Sequence, residues 1–261
     1  MSQLPPPDWN PFGTSSRPHG APWFRQFAWT AAVVIGTIGV LVLAYLGACV
    51  ASGESRSAIL LSGLDVPYQV TVNGTSYALP PKAFREISVA EGDLDIVLQL
   101  VDGRSYTETV HLASPLLTRP FRDELVVLNP DRCAILAHDQ GGYDVRPRLV
   151  DPDAFHRIHI GEVLYTFDHI EHVFEALPYD IRVSGPETRR SVRAVTTGMT
   201  AEQHQIIVDA VGATEAQRIV RRVLDLDPRN GEFLRIAAEF LDANEMAAHC
   251  RPSLDQRPLD I

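Results

Sequence analysis

From Phe27 to Ala51 the chain reads FAWTAAVVIGTIGVLVLAYLGACVA, 25 consecutive positions without a charged side chain. As a helix rising 1.5 Å per residue, such a run is long enough to cross a hydrocarbon core about 30 Å thick. Lipid offers the backbone no water, so a spanning segment must satisfy its own N–H and C=O groups, which an uninterrupted apolar helix does. A helix buried in a soluble core usually shows a polar face, and this run shows none. Gly36, Gly39 and Gly47 are no obstacle, because glycine is frequent in membrane helices. The run predicts a single transmembrane helix over 27–51.

Arg17 and Arg25 precede the helix, Trp23 and Trp29 stand near its start, and Ser52-Gly53-Glu54-Ser55-Arg56 follows it. The excess of cations on the first side places the N-terminus in the cytoplasm and the bulk of the chain outside, with the tryptophans as interfacial anchors. Residues 1–26 carry Pro5, Pro6, Pro7, Pro11, Pro18 and Pro22 and little apolar content. Such a segment cannot bury enough surface to offset its ordering entropy and is expected to be a disordered cytoplasmic tail. Leu46-Gly47-Ala48-Cys49 resembles the lipobox of bacterial lipoproteins, which implies cleavage before Cys49 and a lipidated terminus. Against cleavage stand the long leading segment and an apolar run that exceeds a signal-peptide core of about 7–15 residues. A retained anchor is the favoured expectation.

The 210 residues beyond the helix suffice for one or two domains with real cores. A formal charge of −10 argues against nucleic acid as a partner, since that needs a basic footprint. Of 23 basic residues only Lys82 is a lysine, the usage of a GC-rich bacterial genome; the expected location is therefore a bacterial inner membrane. Cys133 and Cys250 could pair in an oxidising compartment, or remain two buried thiols; spacing does not decide.

Residues 52–198 are expected to form an extracytoplasmic β-rich domain. Tyr68 to Val72 runs into Asn73-Gly74, Ile87 and Val89 run into Glu91-Gly92, and Leu94, Ile96, Leu98 and Leu100 alternate with mostly polar neighbours before Asp102-Gly103. Short strands at this spacing suggest an antiparallel sandwich or small barrel. The hairpin at Asp102-Gly103 can be read further. A two-residue loop would set Leu98 opposite Thr107 and mix the faces. A three-residue loop, Val101-Asp102-Gly103, sets Leu98 opposite Tyr106 and Leu94 opposite Val110, so the apolar pattern selects the odd loop. Leu125–Leu128 and Ala134–Ala137 read as two more strands around a turn, and Gln140–Asp144 as a loop. Val70-Thr71-Val72-Asn73-Gly74, Ile87 to Gly92 and Leu94 to Leu98 together resemble the PEGA-type and carboxypeptidase-regulatory-like β-sandwiches. That resemblance implies a binding or spacer module without catalytic residues.

His156-Arg157-Ile158-His159 and His169-Ile170-Glu171-His172 are the one constellation with possible chemistry. Four imidazoles suit Zn or Cu, so His156, His159, His169 and His172 are the candidate metal ligands. The competing reading is dispersed, hydrogen-bonded histidines. Val163 to Phe167 between the pairs is strand-like, residues three apart on a strand face opposite sides, and all-histidine tetrahedral sites are unusual. No catalytic motif of the nucleophile-elbow, zincin, phosphate-loop or dinucleotide type is present. Ser184-Gly185 and Thr196-Thr197-Gly198 read as turns.

Residues 199–261 read as helical. Thr200 and Gln203 form a capping box for a first helix ending at Gly212, Thr214 caps a second through Leu226, and Phe233 to Leu241 mark a third. Leu224 to Leu234 around Pro228, with Ala216 and Ala238 at small-residue positions, resembles the junction between tetratricopeptide repeats. One repeat and a fragment fall short of a solenoid, so a short bundle capping the β domain is expected, with a partner groove as the sharper reading. The expected whole is a single transmembrane helix followed by an α+β ectodomain, an antiparallel β-sandwich with a small C-terminal helical region. Its expected role is a non-catalytic binding or scaffolding module of the cell envelope, with the bilayer and other envelope proteins as partners and no cofactor. The alternative is an envelope protein that binds Zn or Cu.

Overall fold

The computed structural model describes residues 22–143, 157–178, 187–195 and 201–255. Two compact units divide the chain, 1–48 and 49–261. The first is dominated by helix α1 (Pro22–Glu54), which continues for its last turns into the second unit. Its portion Trp29–Glu54 is long and apolar enough to cross a membrane and lies almost wholly exposed. Thr37, a polar interruption, turns its hydroxyl onto Val33 O at 2.9 Å, which satisfies the group within the helix.

Beyond α1 the chain forms twelve described strands. They are β1 (Arg56–Leu61), β2 (Tyr68–Val72), β3 (Thr75–Leu79), β4 (Phe84–Val89), β5 (Gly92–Leu100), β6 (Ser105–Leu112), β7 (Glu124–Leu128), β8 (Ile135–Tyr143), β9 (Arg157–His159), β10 (Leu164–Asp168), β11 (His172–Val173) and β12 (Glu187–Val195). A 3₁₀ helix, Leu116–Phe121, joins β6 to β7. Three four-stranded sheets result, with orders β3-β2-β5-β6, β10-β7-β1-β4 and β11-β12-β8-β9. A two-sheet antiparallel sandwich is therefore not what forms. There is a third sheet, and β1 runs parallel to β7.

Both faces of the sheet β10-β7-β1-β4 are covered. Ala58 and Leu60 of β1 and Val126 and Leu128 of β7 belong to one buried cluster with Val70, Leu94, Ile96 and Leu98 of the first sheet. Leu61, Val127, Tyr165 and Phe167 belong to a second cluster with Leu136 and Val192 of the third. A strand buried on both faces needs a continuous apolar run rather than an alternating one, which is why β1 and β7 read AILL and LVVL. The strands on either side of Asn129–Cys133 do not form a hairpin with each other: β7 lies in one sheet and β8 in the next. Gln140 to Tyr143 is not a loop but the end of β8, paired with Glu187 to Arg190 of β12; Asp144 lies outside the described residues. The two glycines conceal the strand from a propensity reading, whereas a full-length partner strand supplies its ladder.

The crossing between those two sheets is knotted around a buried carboxylate. Asp131 is fully buried; its carboxylate accepts from Gly63 N–H (2.8 Å), Tyr68 O–H (2.7 Å) and Cys133 N–H (2.8 Å). Burial pushes its pKa up, against the pull of these donors, and pushes the Tyr68 hydroxyl well up as well. Cys133 is a free thiol, buried, with its pKa raised by that burial and by Asp131, so it forms no bond to Cys250.

The β5–β6 hairpin has the odd loop: Leu98 pairs with Tyr106 and Leu94 with Val110, and Gly103 adopts φ +89°. Four helices follow: α2 (Ala201–Val211), α3 (Ala213–Leu226), α4 (Gly231–Phe240) and α5 (Ala243–Asp255). Gly212, not Thr214, is the N-cap of α3, and Thr200 lies outside the described residues. Asn230 caps α4 by accepting from Phe233 N–H at 3.1 Å. Ala216 and Ala237 are fully buried, whereas Ala238 is exposed. Ile207, Ile219, Val220, Val223 and Phe233 share the same buried cluster as the first sheet. Arg222 of α3 completes the junction, donating to Asp131 O at 3.1 Å and to Glu108 of β6 at 2.8 Å, while Arg132 binds the other oxygen of Glu108.

Candidate functional site

Three of the four histidines proposed as ligands are described, and those three do not converge. His156 lies outside the described residues. His159 is on β9 and His172 on β11, the two opposite edge strands of the same sheet, with β12 and β8 between them. Three strand spacings put those backbones about 14 Å apart, far beyond a shared ion. His169 sits in the turn after β10 at φ +54°, its side chain 71% exposed and 3.9 Å from Asp123. His172 faces Glu175 at 3.9 Å. Among the described residues no group of three or more His, Cys, Asp or Glu side chains is arranged to hold a metal ion.

A different histidine joins His159. His138 lies on β8 beside β9, where the register pairs Leu136 with His159 and His138 with Arg157. The two rings stand 6.2 Å apart, and each meets Phe167 edge-on, at 5.5 Å from His138 and 5.1 Å from His159. Tyr165 is edge-on to His159 at 5.8 Å. The Nε2 atoms of both histidines are buried without a hydrogen-bond partner. Burial lowers both pKa values; Arg190 and Arg157 push His138 further down, and His138 and Arg157 do so for His159. Both rings are therefore neutral near pH 7. Tyr165, whose hydroxyl accepts from Glu162 N–H at 2.9 Å, is pushed up to about 12 by burial. The two unpartnered Nε2 atoms can bind a proton or a metal cation suited to imidazole. The sequence signal for His138 was an isolated histidine directly after the apolar run Ala134 to Ala137, obscured by the glycines at 141 and 142.

A concave surface lies elsewhere, between the tip of the β5–β6 hairpin and the helices. A cleft of about 790 Å³ is walled by Val66, Pro67, Leu100 and Val101 on one side and by Leu226, Pro228 and Ala248 on the other. Its polar groups are fixed by contacts across or within the walls. Arg104 Nε binds Asp102 at 2.7 Å and its Nη1 reaches Asp225 O. His249 stands 3.4 Å from Asp225, and Asp65 N–H donates to Asp227 at 3.0 Å. Asp102 is held below the usual carboxylate range chiefly by the Arg104 N–H, whereas burial raises Asp227. Apolar walls with a few oriented polar groups are what a ligand or peptide site requires.

No protein-family model matches the chain, and neither a curated protein nor a solved structure is similar to it.

Proposed function

We propose that the chain is a single-pass, membrane-anchored and non-catalytic binding or scaffolding module of a bacterial cell envelope, with the unit 49–261 on the outer side. One observation carries the reading: a continuous apolar helix, exposed along nearly its whole length, leads directly into a β-rich unit with its own core. Exposed apolar surface of that extent in water would be strongly unfavourable, and lipid removes the cost. The surface that meets a partner is the cleft between the hairpin tip and α3–α5. Its apolar walls come from two elements clamped together by Arg104, Arg222 and Asp227, so it is presented preformed.

The test combines topology with capture. Protease added to spheroplasts should degrade the unit after α1, and alkaline carbonate should leave the full chain in the pellet. A photo-crosslinker replacing Val101 in the cleft should give a discrete adduct in membranes that one replacing Asp93, away from it, does not. Release by carbonate removes the anchor, protection from protease reverses the side, and equal adducts at both positions remove the cleft.

A second reading, Zn or Cu held by histidine, has the two unpartnered Nε2 atoms of His138 and His159 behind it. Isothermal titration with Zn²⁺ and Cu²⁺ that shows no binding lost on His138→Ala plus His159→Ala rejects it.

A further inference from the structure

We infer that His138 and His159 hold a monovalent copper ion, Cu(I), between them in near-linear coordination, and hold it in preference to Zn²⁺. The inference rests on the second reading of the function, in which this pair binds zinc or copper, and names the ion and its charge. The two side chains meet because β8 and β9 pair antiparallel. Leu136 lies opposite His159 and Arg157 opposite His138, so the histidines are diagonal neighbours on one face, within reach of each other. That face turns toward Tyr165 and Phe167 of β10. Both Nε2 atoms are buried and have no hydrogen-bond partner among the described residues. Buried polar atoms are nearly always paired, and an ion shared by both nitrogens would pair them.

The spacing selects the coordination. With metal–nitrogen bonds of about 2.0 Å and Nε2 about 1.2 Å from its ring centre, two imidazoles on one ion have centres about 6.4 Å apart in a straight arrangement and about 5.2 Å apart in a tetrahedral one. The rings of His138 and His159 stand 6.2 Å apart, close to the straight arrangement. Zinc takes four ligands in a tetrahedron, and among the described residues no third His, Cys, Asp or Glu side chain joins the pair. Tyr165 does not supply a third: Glu162 N–H engages its hydroxyl at 2.9 Å, and burial keeps it protonated. Copper suits imidazole, and Cu(I), with a filled d shell, is stable between two neutral nitrogens in line.

The surroundings favour one charge over two. The three ring separations put the point midway between the imidazoles about 4 Å from the centre of Phe167, inside the range of about 6 Å over which an aromatic face attracts a cation. Arg157 opposes positive charge on both histidines and Arg190 on His138, while Asp139 offsets them only at His138. The cost of desolvating an ion rises with the square of its charge, so a divalent ion entering here loses about four times the hydration energy of a monovalent one.

The full-length protein in detergent tests this, with Cys49→Ser and Cys250→Ser to remove competing thiols and the buried Cys133 left in place. Cu(I) is supplied without oxygen from a chromophoric chelator, and Zn²⁺ from a fluorescent one. Cu(I) should bind more tightly than Zn²⁺ by about a hundredfold or more, and His138→Gln plus His159→Gln should weaken it by a similar factor. Copper K-edge absorption of the protein with both histidines intact should show two nitrogen neighbours and no sulfur; this readout stands even where the double variant fails to fold. Zn²⁺ bound as tightly as Cu(I), with both lost in the double variant, overturns the inference and leaves the second reading standing. Sulfur neighbours, or three or more nitrogens, likewise overturn it. Metal binding unchanged in the double variant overturns the second reading and the inference with it.

Discussion

Gly63→Ala should be among the most damaging single-methyl additions in the molecule, although Gly63 carries no unusual dihedral. A Cβ there would stand 2.1 Å from Ala134 N and 2.4 Å from the Cys133 carbonyl carbon. Both are backbone atoms, so no rotamer relieves the clash. Restoring ordinary van der Waals contact requires the two segments to separate by more than 1 Å, an overpacking cost of about 1–3 kcal/mol. The same displacement breaks the bond from Gly63 N–H to the Asp131 carboxylate, now 2.8 Å. That carboxylate is fully buried, and losing a hydrogen bond to a charged group costs about 1.5–3 kcal/mol more. The sum, roughly 3–6 kcal/mol, is a large share of the 5–15 kcal/mol by which a domain is stable. Gly74 supplies the comparison: it needs φ +82°, but a Cβ meets nothing within 4 Å. Gly74→Ala should cost only the left-handed penalty of about 1–2 kcal/mol. Urea unfolding of both variants, followed by circular dichroism in detergent, measures the difference. A loss at Gly63 no greater than at Gly74 would falsify the claim that the two sheets are joined by backbone contact at this point.

Three further outcomes follow from the same geometry. Leu98→Ala, at a position 1% exposed, should cost about 2–5 kcal/mol and Gln99→Ala little; comparable midpoint shifts would contradict the three-residue loop. Because folding lowers the pKa values of His138 and His159, their contribution is complete above the unfolded value of about 6.5 and is lost as pH falls through the folded values. The melting temperature should therefore drop on acidification below that point, and His138→Gln plus His159→Gln should flatten the drop; an unchanged acid limb refutes the assignment. Arg222→Gln removes the charge shared with Glu108 and the bond to Asp131 O. It should raise hydrogen exchange in α3 before the first sheet loosens, and simultaneous loosening of both would show that the junction does not depend on this contact.

What could be read from the residues divides along a physical line. The β5–β6 register was legible because one face of that sheet is buried and the other is not: Leu94, Ile96, Leu98 and Leu100 are buried between exposed Asp93, Asp95 and Gln99, and a slip would invert every side chain. The helices after residue 200 were legible through their apolar spacing, though α5 was not, since Ala243 to Asp255 has little apolar stripe to show. The sheet buried on both faces was not legible. Its strands β1 and β7 lose the alternation that marks a strand.

The placement of the described histidines follows the same physics. Spacing along the chain grouped His156 with His159 and His169 with His172, but a strand places neighbours by register rather than by separation in sequence. What brings an imidazole next to His159 is the pairing of β8 with β9, and it delivers His138, 21 positions away in sequence. Pairing across a sheet of order β11-β12-β8-β9 likewise sends His172 to the far edge. A cluster in sequence becomes a cluster in space only where the chain turns back at the matching register. Here the turn back occurs between β8 and β9, so two neutral, desolvated histidines with Phe167 and Tyr165 form the buried polar feature of this sheet interface. The substitutions at His138 and His159 test that feature directly, because burial lowers both pKa values and so ties the pair to acid sensitivity.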